Sequence, residues 1–183
     1  AVLMTAAEVW FLRAEAALRG WTDEDAELCY RNGVAASFAQ WQLSGAEHYL
    51  ESDAMAADYH DPVDPGNDIA ARCRVSPHWD ATADDELKLE RIITQKWISI
   101  FPNGNEGWAE FRRTDYPELL NIEENNSDGD VPEGKFIKRI KYPQSESFNP
   151  NRPMGDNQGT KIWWDVADTN NDNGQRVQPN NFR

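Results

Sequence analysis

The chain has 183 residues, 39% hydrophobic and 11% aromatic with 8 Trp, enough for one domain with a real core and too aromatic for a disordered one. Its 32 acidic residues against 18 basic ones give a net charge of −14, a field that repels a phosphate backbone. No basic stripe compensates, so nucleic acid is not an expected partner, whereas neutral ligands such as sugars or peptides suit this surface.

In chain order, "TAAEVWFLRAEAALR" predicts a helix over residues 5–19. Thr5 can cap it, Glu8 follows three residues on in a capping-box pattern, and Gly20 supplies the stop. A second helix is expected over 23–41, where Ala26, Tyr30, Val34, Phe38 and Trp41 form one apolar stripe. Residues 1–41 thus read as a helical hairpin. Trp10, Ala14, Ala17, Ala26, Tyr30 and Gly33 fall where a tetratricopeptide-type repeat places its large and small residues. Small side chains let two helices approach while Trp10 and Tyr30 fill the flanks. No second clear copy follows, and a generic hairpin fits the same loose pattern.

Residues 42–83 read as a loop insertion. After a short helix expected over 46–55 comes "ADYHDPVDPGNDIAARCRVSPHWDATAD", rich in proline and aspartate. A sugar site needs flat aromatic faces beside hydrogen-bonding groups. Tyr59, His78 and Trp79 lie beside Asp58, Asp61 and Asp80 and are the expected ligand-binding residues. The competing role for Trp79 is to pin the loop to the body of the protein.

Residues 84–120 form the expected helical core. A helix over 84–100 carries Leu87, Leu89, Ile92, Ile93, Trp97 and Ile100 on a broad stripe, with Lys96 as the exception. "FPNG" ends it, and a shorter helix runs on to Arg113, with Trp108 and Phe111 on one side. Trp97 and Trp108 are therefore expected in the core. Arg112 and Arg113 have the chemistry to clamp a carboxylate or a sugar, but pairing with nearby acidic side chains is the simpler expectation. Tyr116 before Pro117 is pushed out of the α region and closes the helix.

The region 121–183 is loop-rich. "KFIKRIKYP" alternates like a short exposed strand, and the tail after residue 166 is expected to fray. In "TKIWWDV", Trp163 and Trp164 point to opposite sides of an extended chain, one inward and one toward an interface. "DTNNDNG" places Asp168, Asn170 and Asp172 in a rhythm resembling calcium ligands, yet the glycine comes one position late and Pro179 replaces the closing Glu. Calcium is thus a weak expectation and no other cofactor is expected. His48, His60 and His78 lack a zinc-site spacing, and Cys29 and Cys73 fit equally a single bridge or two free thiols. No nucleophile elbow or phosphate loop points to an enzyme. No apolar run reaches the length of a membrane span, no signal pattern opens the chain, and an opening Ala in place of Met suggests part of a longer protein.

Three segments together carry a family resemblance: "EVWFLRAEAALRGW" with "YRNGVAASFAQW"; "LERIITQKWISIFPNGNEGWAEFRRTDYPEL"; and "GKFIKRIKYPQSE" leading to "TKIWWDV". They resemble the SusD/RagB family, outer-membrane nutrient-binding lipoproteins of Bacteroidetes, with the middle segment the most specific. The resemblance implies a mostly α fold of tetratricopeptide-like helical hairpins with long irregular loops and few short strands. It implies that residues 1–183 are the C-terminal part of a single SusD-like domain. It further implies a cell-surface protein held by a lipidated N-terminal cysteine, acting with a SusC-type TonB-dependent transporter to deliver glycans or peptides, and binding without catalysis. The anchor is absent here, since Cys29 and Cys73 are mid-chain, and residues 52–83 look inserted relative to the family pattern. The alternative is a tetratricopeptide-type scaffold that binds other proteins.

Overall fold

A computed structural model describes residues 3–120, 122, 124–132, 134–151, 157–165 and 180–182. Among these, five α-helices are joined by irregular segments: α1 (Ala6–Leu18), α2 (Ala26–Gln40), α3 (Ala46–Leu50), α4 (Asp85–Ser99) and α5 (Gly104–Thr114). The mostly helical fold class is as expected. Among the described residues the only β pairing is an isolated bridge between Tyr59 and Ile69. The stretch "KFIKRIKYP" forms no strand: the N–H groups of Lys138 and Arg139 both donate to the Gln158 carbonyl, at 2.8 and 3.2 Å, which is a loop-to-loop tie and not a ladder.

Local chemistry sets the helix ends. Thr5 Oγ1 accepts the Glu8 N–H at 3.1 Å to start α1. At its other end Gly20 takes φ +70°, and the N–H groups of Gly20 and Trp21 reach back to Ala17 and Ala16 at 3.0 and 2.9 Å. That pair of bonds is a Schellman motif, which a glycine at this position favours. Helix α2 begins later than expected because Asp25, not Asp23, caps it by accepting the Leu28 N–H at 3.0 Å. Helix α3 is shorter than expected: the Ser52 side chain turns back to its own neighbourhood, accepting the Ala54 N–H at 3.2 Å, and the chain leaves the helix.

α1 and α2 pack as the predicted hairpin, with α4 lying against α1 and α2. Small residues at the crossing decide how near they come. Ala14 is fully buried, and a Cβ on Gly33 would sit 2.7 Å from the Phe11 ring, so this position requires glycine. The core joins Phe11, Tyr30, Val34, Leu50 and Ile92, with Trp79 entering from the long loop. A smaller cluster of Leu89, Ile93 and Tyr116 is covered by Leu18 and Phe182. Asn181 and Phe182 of the tail are therefore packed and not frayed. Asn181 donates through its backbone and side-chain N–H groups to Glu86 at 2.8 and 2.6 Å, and Arg19 lies over the Phe182 ring at 4.8 Å.

Charged side chains link the helices. Arg113 of α5 makes a bidentate pair with Glu15 of α1, at 2.7 and 2.6 Å, and binds Glu110 at 2.7 Å. Glu110 also accepts from Lys96 of α4 at 2.9 Å, and Lys96 reaches Glu106 at 3.0 Å. Arg19 donates to the same carboxylate, at 2.8 Å from Glu15 Oε1. Lys96, the misfit of an apolar stripe, is only 1% exposed, and these carboxylates explain how it can be. Burial alone would raise the Glu15 pKa, but hydrogen bonds and charge from Arg113, then Arg19, hold it below the ordinary value.

Two outcomes follow from this network. Lys96→Met removes one of the two cations on buried Glu110 and the partner of Glu106, and lowers the unfolding free energy by about 2 kcal/mol in urea titrations. Glu15 has a lowered folded pKa, so its contribution is complete above the ordinary value of 4.5 and is lost as pH falls through the folded value. Wild-type urea midpoints therefore fall more steeply between about pH 5 and about pH 3 than those of Glu15→Gln. Parallel curves for the two proteins would remove Glu15 from the acid response.

Candidate ligand-binding surface

The long loop carries the sequence-predicted candidates, and the structure separates them. Trp79 is 8% exposed, with its ring centroid 5.2 Å from that of Tyr30. The Tyr30 hydroxyl donates to the Pro77 carbonyl at 2.7 Å, and Arg91 Nε donates to the Ser76 carbonyl at 3.1 Å. These bonds pull residues 76–79 onto α2 and α4, and burial raises the Tyr30 pKa strongly. A ring so placed cannot stack on a ligand, so Trp79 takes the pinning role. His78 beside it is exposed, its Nδ1 2.8 Å from Asp53.

Tyr59 lies elsewhere, exposed on an outer turn closed by its two backbone bonds to Ile69 at 2.9 and 3.0 Å. The aspartates beside it shape that turn. Asp61 accepts the N–H groups of Val63 and Asp64 at 2.8 and 2.9 Å, Asp58 that of Ala71 at 2.7 Å, and Asp68 that of Asp61 at 2.9 Å. The bonds from Asp64 and Val63 hold the Asp61 pKa low, and the charge of Asp61 raises that of Tyr59. His60 is raised by its hydrogen bond to Asp68. These carboxylates are engaged by the loop's own backbone, which explains their density without a ligand.

Asp168, Asn170 and Asp172 lie outside the described residues. Among the described residues no group of three or more His, Cys, Asp or Glu is placed to hold a metal ion. Cys29 and Cys73 are both free thiols, and burial raises the pKa of each.

One hollow among the described residues was not anticipated. Trp97, expected in the core, is 39% exposed, and with Trp41, Ile98, Phe101, Pro102 and Trp108 it walls a trough of about 650 Å³. An apolar stripe reports that a helix face wants cover, but the sequence period does not say what covers it. The trough continues past Phe111 and Leu119 into a hollow of about 410 Å³ against Phe136 and Ile137. Its chemistry is nearly all apolar. Among the described residues, Asn103 is the only polar side chain lining the larger hollow besides the tryptophan N–H groups, and Trp108 Nε1 already donates to the Ile137 carbonyl at 2.7 Å. Such a surface suits packing against protein better than it suits hydroxyl-rich sugars.

The paired arginines divide their work. Arg113 forms the expected ion pairs. Arg112 instead lies flat between two indoles, 3.6 Å from the Trp108 centroid and 4.7 Å from that of Trp164, and donates to the Trp108 and Lys138 carbonyls at 3.3 Å each. Trp164 is thereby fixed on α5 while its neighbour Trp163 is 94% exposed. Next in sequence, buried Asp165 accepts from Lys138 Nζ at 3.1 Å, and Lys138 also binds Asp115 at 2.7 Å.

Comparison with known proteins agrees with this geometry. Residues 1–165 match the family described as SusD and RagB outer membrane lipoprotein. Among curated proteins, none matches. A chitin-binding SusD homolog from Flavobacterium johnsoniae is 43% identical with a TM-score of 0.80, over 90% of this chain and 36% of that one. A SusD homolog from Bacteroides vulgatus gives the same identity, score and coverage. A SusD-like protein from Bacteroides thetaiotaomicron is 35% identical with a TM-score of 0.79, over 94% of this chain and 38% of that one. The chain thus spans little more than a third of the length of the solved relatives it matches.

Substituting Trp79 by Ala is expected to destabilise the protein by about 3 kcal/mol or more, since a large buried ring is lost from the core. Thermal unfolding checks this; an unchanged midpoint would return Trp79 to the ligand-facing residues.

Proposed function

The chain belongs to the SusD/RagB family of outer membrane lipoproteins, and we propose that it forms part of a cell-surface subunit that captures glycan for uptake. The observation that carries this reading is the match at 43% identity, across 90% of the chain, to a homolog described as chitin-binding. A binding role, not a catalytic one, fits the aromatic and neutral-ligand character of the surface. The partner is a SusC-type TonB-dependent transporter, to which the bound oligosaccharide is passed. Peptide remains the second ligand class, because the negative field repels neither.

A scaffold reading has one observation in its favour: the apolar trough beside Trp97 and Phe101 is a protein-packing surface. That surface is equally at home inside a longer subunit of the same family, so it does not displace the uptake reading. Isothermal titration of the whole protein with chitohexaose is expected to give saturable binding. No heat with chitohexaose or other hexasaccharides would refute glycan capture. Affinity purification from native outer membranes is expected to bring down a large β-barrel protein, and its absence would refute the transporter partnership.

A further inference from the structure

The apolar trough beside Trp97 does not end at Asn103. Its wall of Trp41, Ile100, Phe101 and Pro102 is shared with a further hollow of about 570 Å³, which runs on to Leu3, Met4 and Glu8. Leu3, Met4, Trp41, Ile98 and Phe101 are all exposed along this one groove, and a continuous apolar surface of that kind marks a place where polypeptide packs. Glu8 is the exception in it. The residue is only 4% exposed, yet among the described residues no donor reaches its carboxylate. Thr5 accepts the Glu8 N–H, but the return bond of a capping box, from the Thr5 N–H to that carboxylate, is not formed.

Other buried carboxylates of this chain are matched. Glu15 and Glu110 hold an arginine or a lysine, and Asp115 and Asp165 share Lys138. A buried carboxylate without such a partner is costly, and the positive end of the α1 dipole relieves only part of that cost. The groove therefore asks for two things at once: apolar side chains along the rings, and one cation at the Glu8 end. Glu8 repels phosphates and anionic headgroups, and the long apolar stretch gives sugar hydroxyls no partners. Polypeptide to supply both is at hand, since the chain covers only 36% and 38% of two solved relatives. A cation from elsewhere in the subunit also meets the imbalance of 18 basic against 32 acidic residues.

We propose that this groove seats a segment of the same subunit, drawn from the part of its length beyond residues 1–183, with a lysine or arginine of that segment paired to Glu8 and its apolar neighbours laid along Trp41, Phe101 and Trp97. The inference rests on family membership and not on glycan capture. It makes the groove an internal seam of the whole subunit. It also gives the apolar stripe of α4 the cover for Trp97 and Ile98 that none of the described residues provides.

The test uses the whole subunit without glycan. Glu8→Gln is expected to lower its melting temperature by about 3 °C, because the incoming cation is left buried without a counterion. A carboxylate that merely faces water gives the opposite sign, since a neutral amide is easier to bury, so an unchanged or raised midpoint overturns the ion pair. Benzoylphenylalanine in place of Phe101, whose side chain is 69% exposed, serves as a photo-crosslinker read by mass spectrometry. The expected product keeps the monomer mass and joins position 101 to a peptide outside residues 1–183, with a lysine or arginine near the joined position. Replacing that cation by Met should lower the midpoint as Glu8→Gln does, and the double variant should fall no further than either single one. Additive losses overturn the pairing. A crosslink to a second copy, to a different protein, or to nothing overturns the assignment of the occupant. Because no step uses glycan, failure here leaves glycan capture standing.

Discussion

The position of Arg113 governs how the helices of this protein can be assembled. Its guanidinium lies between carboxylates from α1 and from its own helix, and one of those carboxylates also holds the buried ammonium of Lys96 on α4. The helices are thus joined by a continuous alternation of charges that begins at Arg19 and ends at Glu106. Within a low-dielectric interior, any slip of α5 along α4 would leave one of these charges buried without a counterion. Hydrophobic packing between the same helices is far more tolerant of small displacements. The network therefore fixes register, and register is what places the Trp108 and Arg112 side of α5 where the C-terminal loops can dock.

What was legible in the sequence is mostly what local chemistry decides. Thr5, Gly20 and Asp84 end or begin helices through bonds to residues three to five positions away, and the sequence shows both partners of each bond. The hairpin of α1 and α2 was legible for the same reason, because small residues at regular spacing report close approach. The candidate site was much less so. Trp97 and Trp108 sit on a genuine apolar stripe, yet periodicity carries no information about whether the opposite surface lies within the chain. Trp79 had two roles open to it, for a tryptophan among prolines and aspartates fits a ligand site or a loop pin alike, and the bonds from Tyr30 and Arg91 that draw its segment inward are not legible from the loop itself. Phe182 is a similar case: one aromatic in a polar tail is weak as a pattern but has a real seat beside Leu18 and Arg19.

The tryptophans also show how one residue type is assigned to different work by its neighbours. Trp79 fills the core, Trp108 and Trp164 sandwich a guanidinium, and Trp97 walls an apolar trough. Trp163 does none of these. What distinguishes them is the supply of polar partners nearby, not the ring itself.

The long loop between α3 and α4 is closed off in two places. The His78 N–H donates to the Ser52 carbonyl at 3.2 Å, closing the neck, and the Tyr59 and Ile69 bonds close the outer turn again. A segment tied off in this way behaves as an exchangeable cassette. Its length enters stability only through a slowly growing logarithm of loop closure, and its tip touches none of the helix crossings. Insertions, deletions and replacement within the outer turn, residues 59–69, are thereby uncoupled from the register of the helices, whereas the Arg74 N–H already donates to Glu90 of α4 and Val75 is buried. The outer turn can therefore be rewritten without disturbing the charge network among the helices.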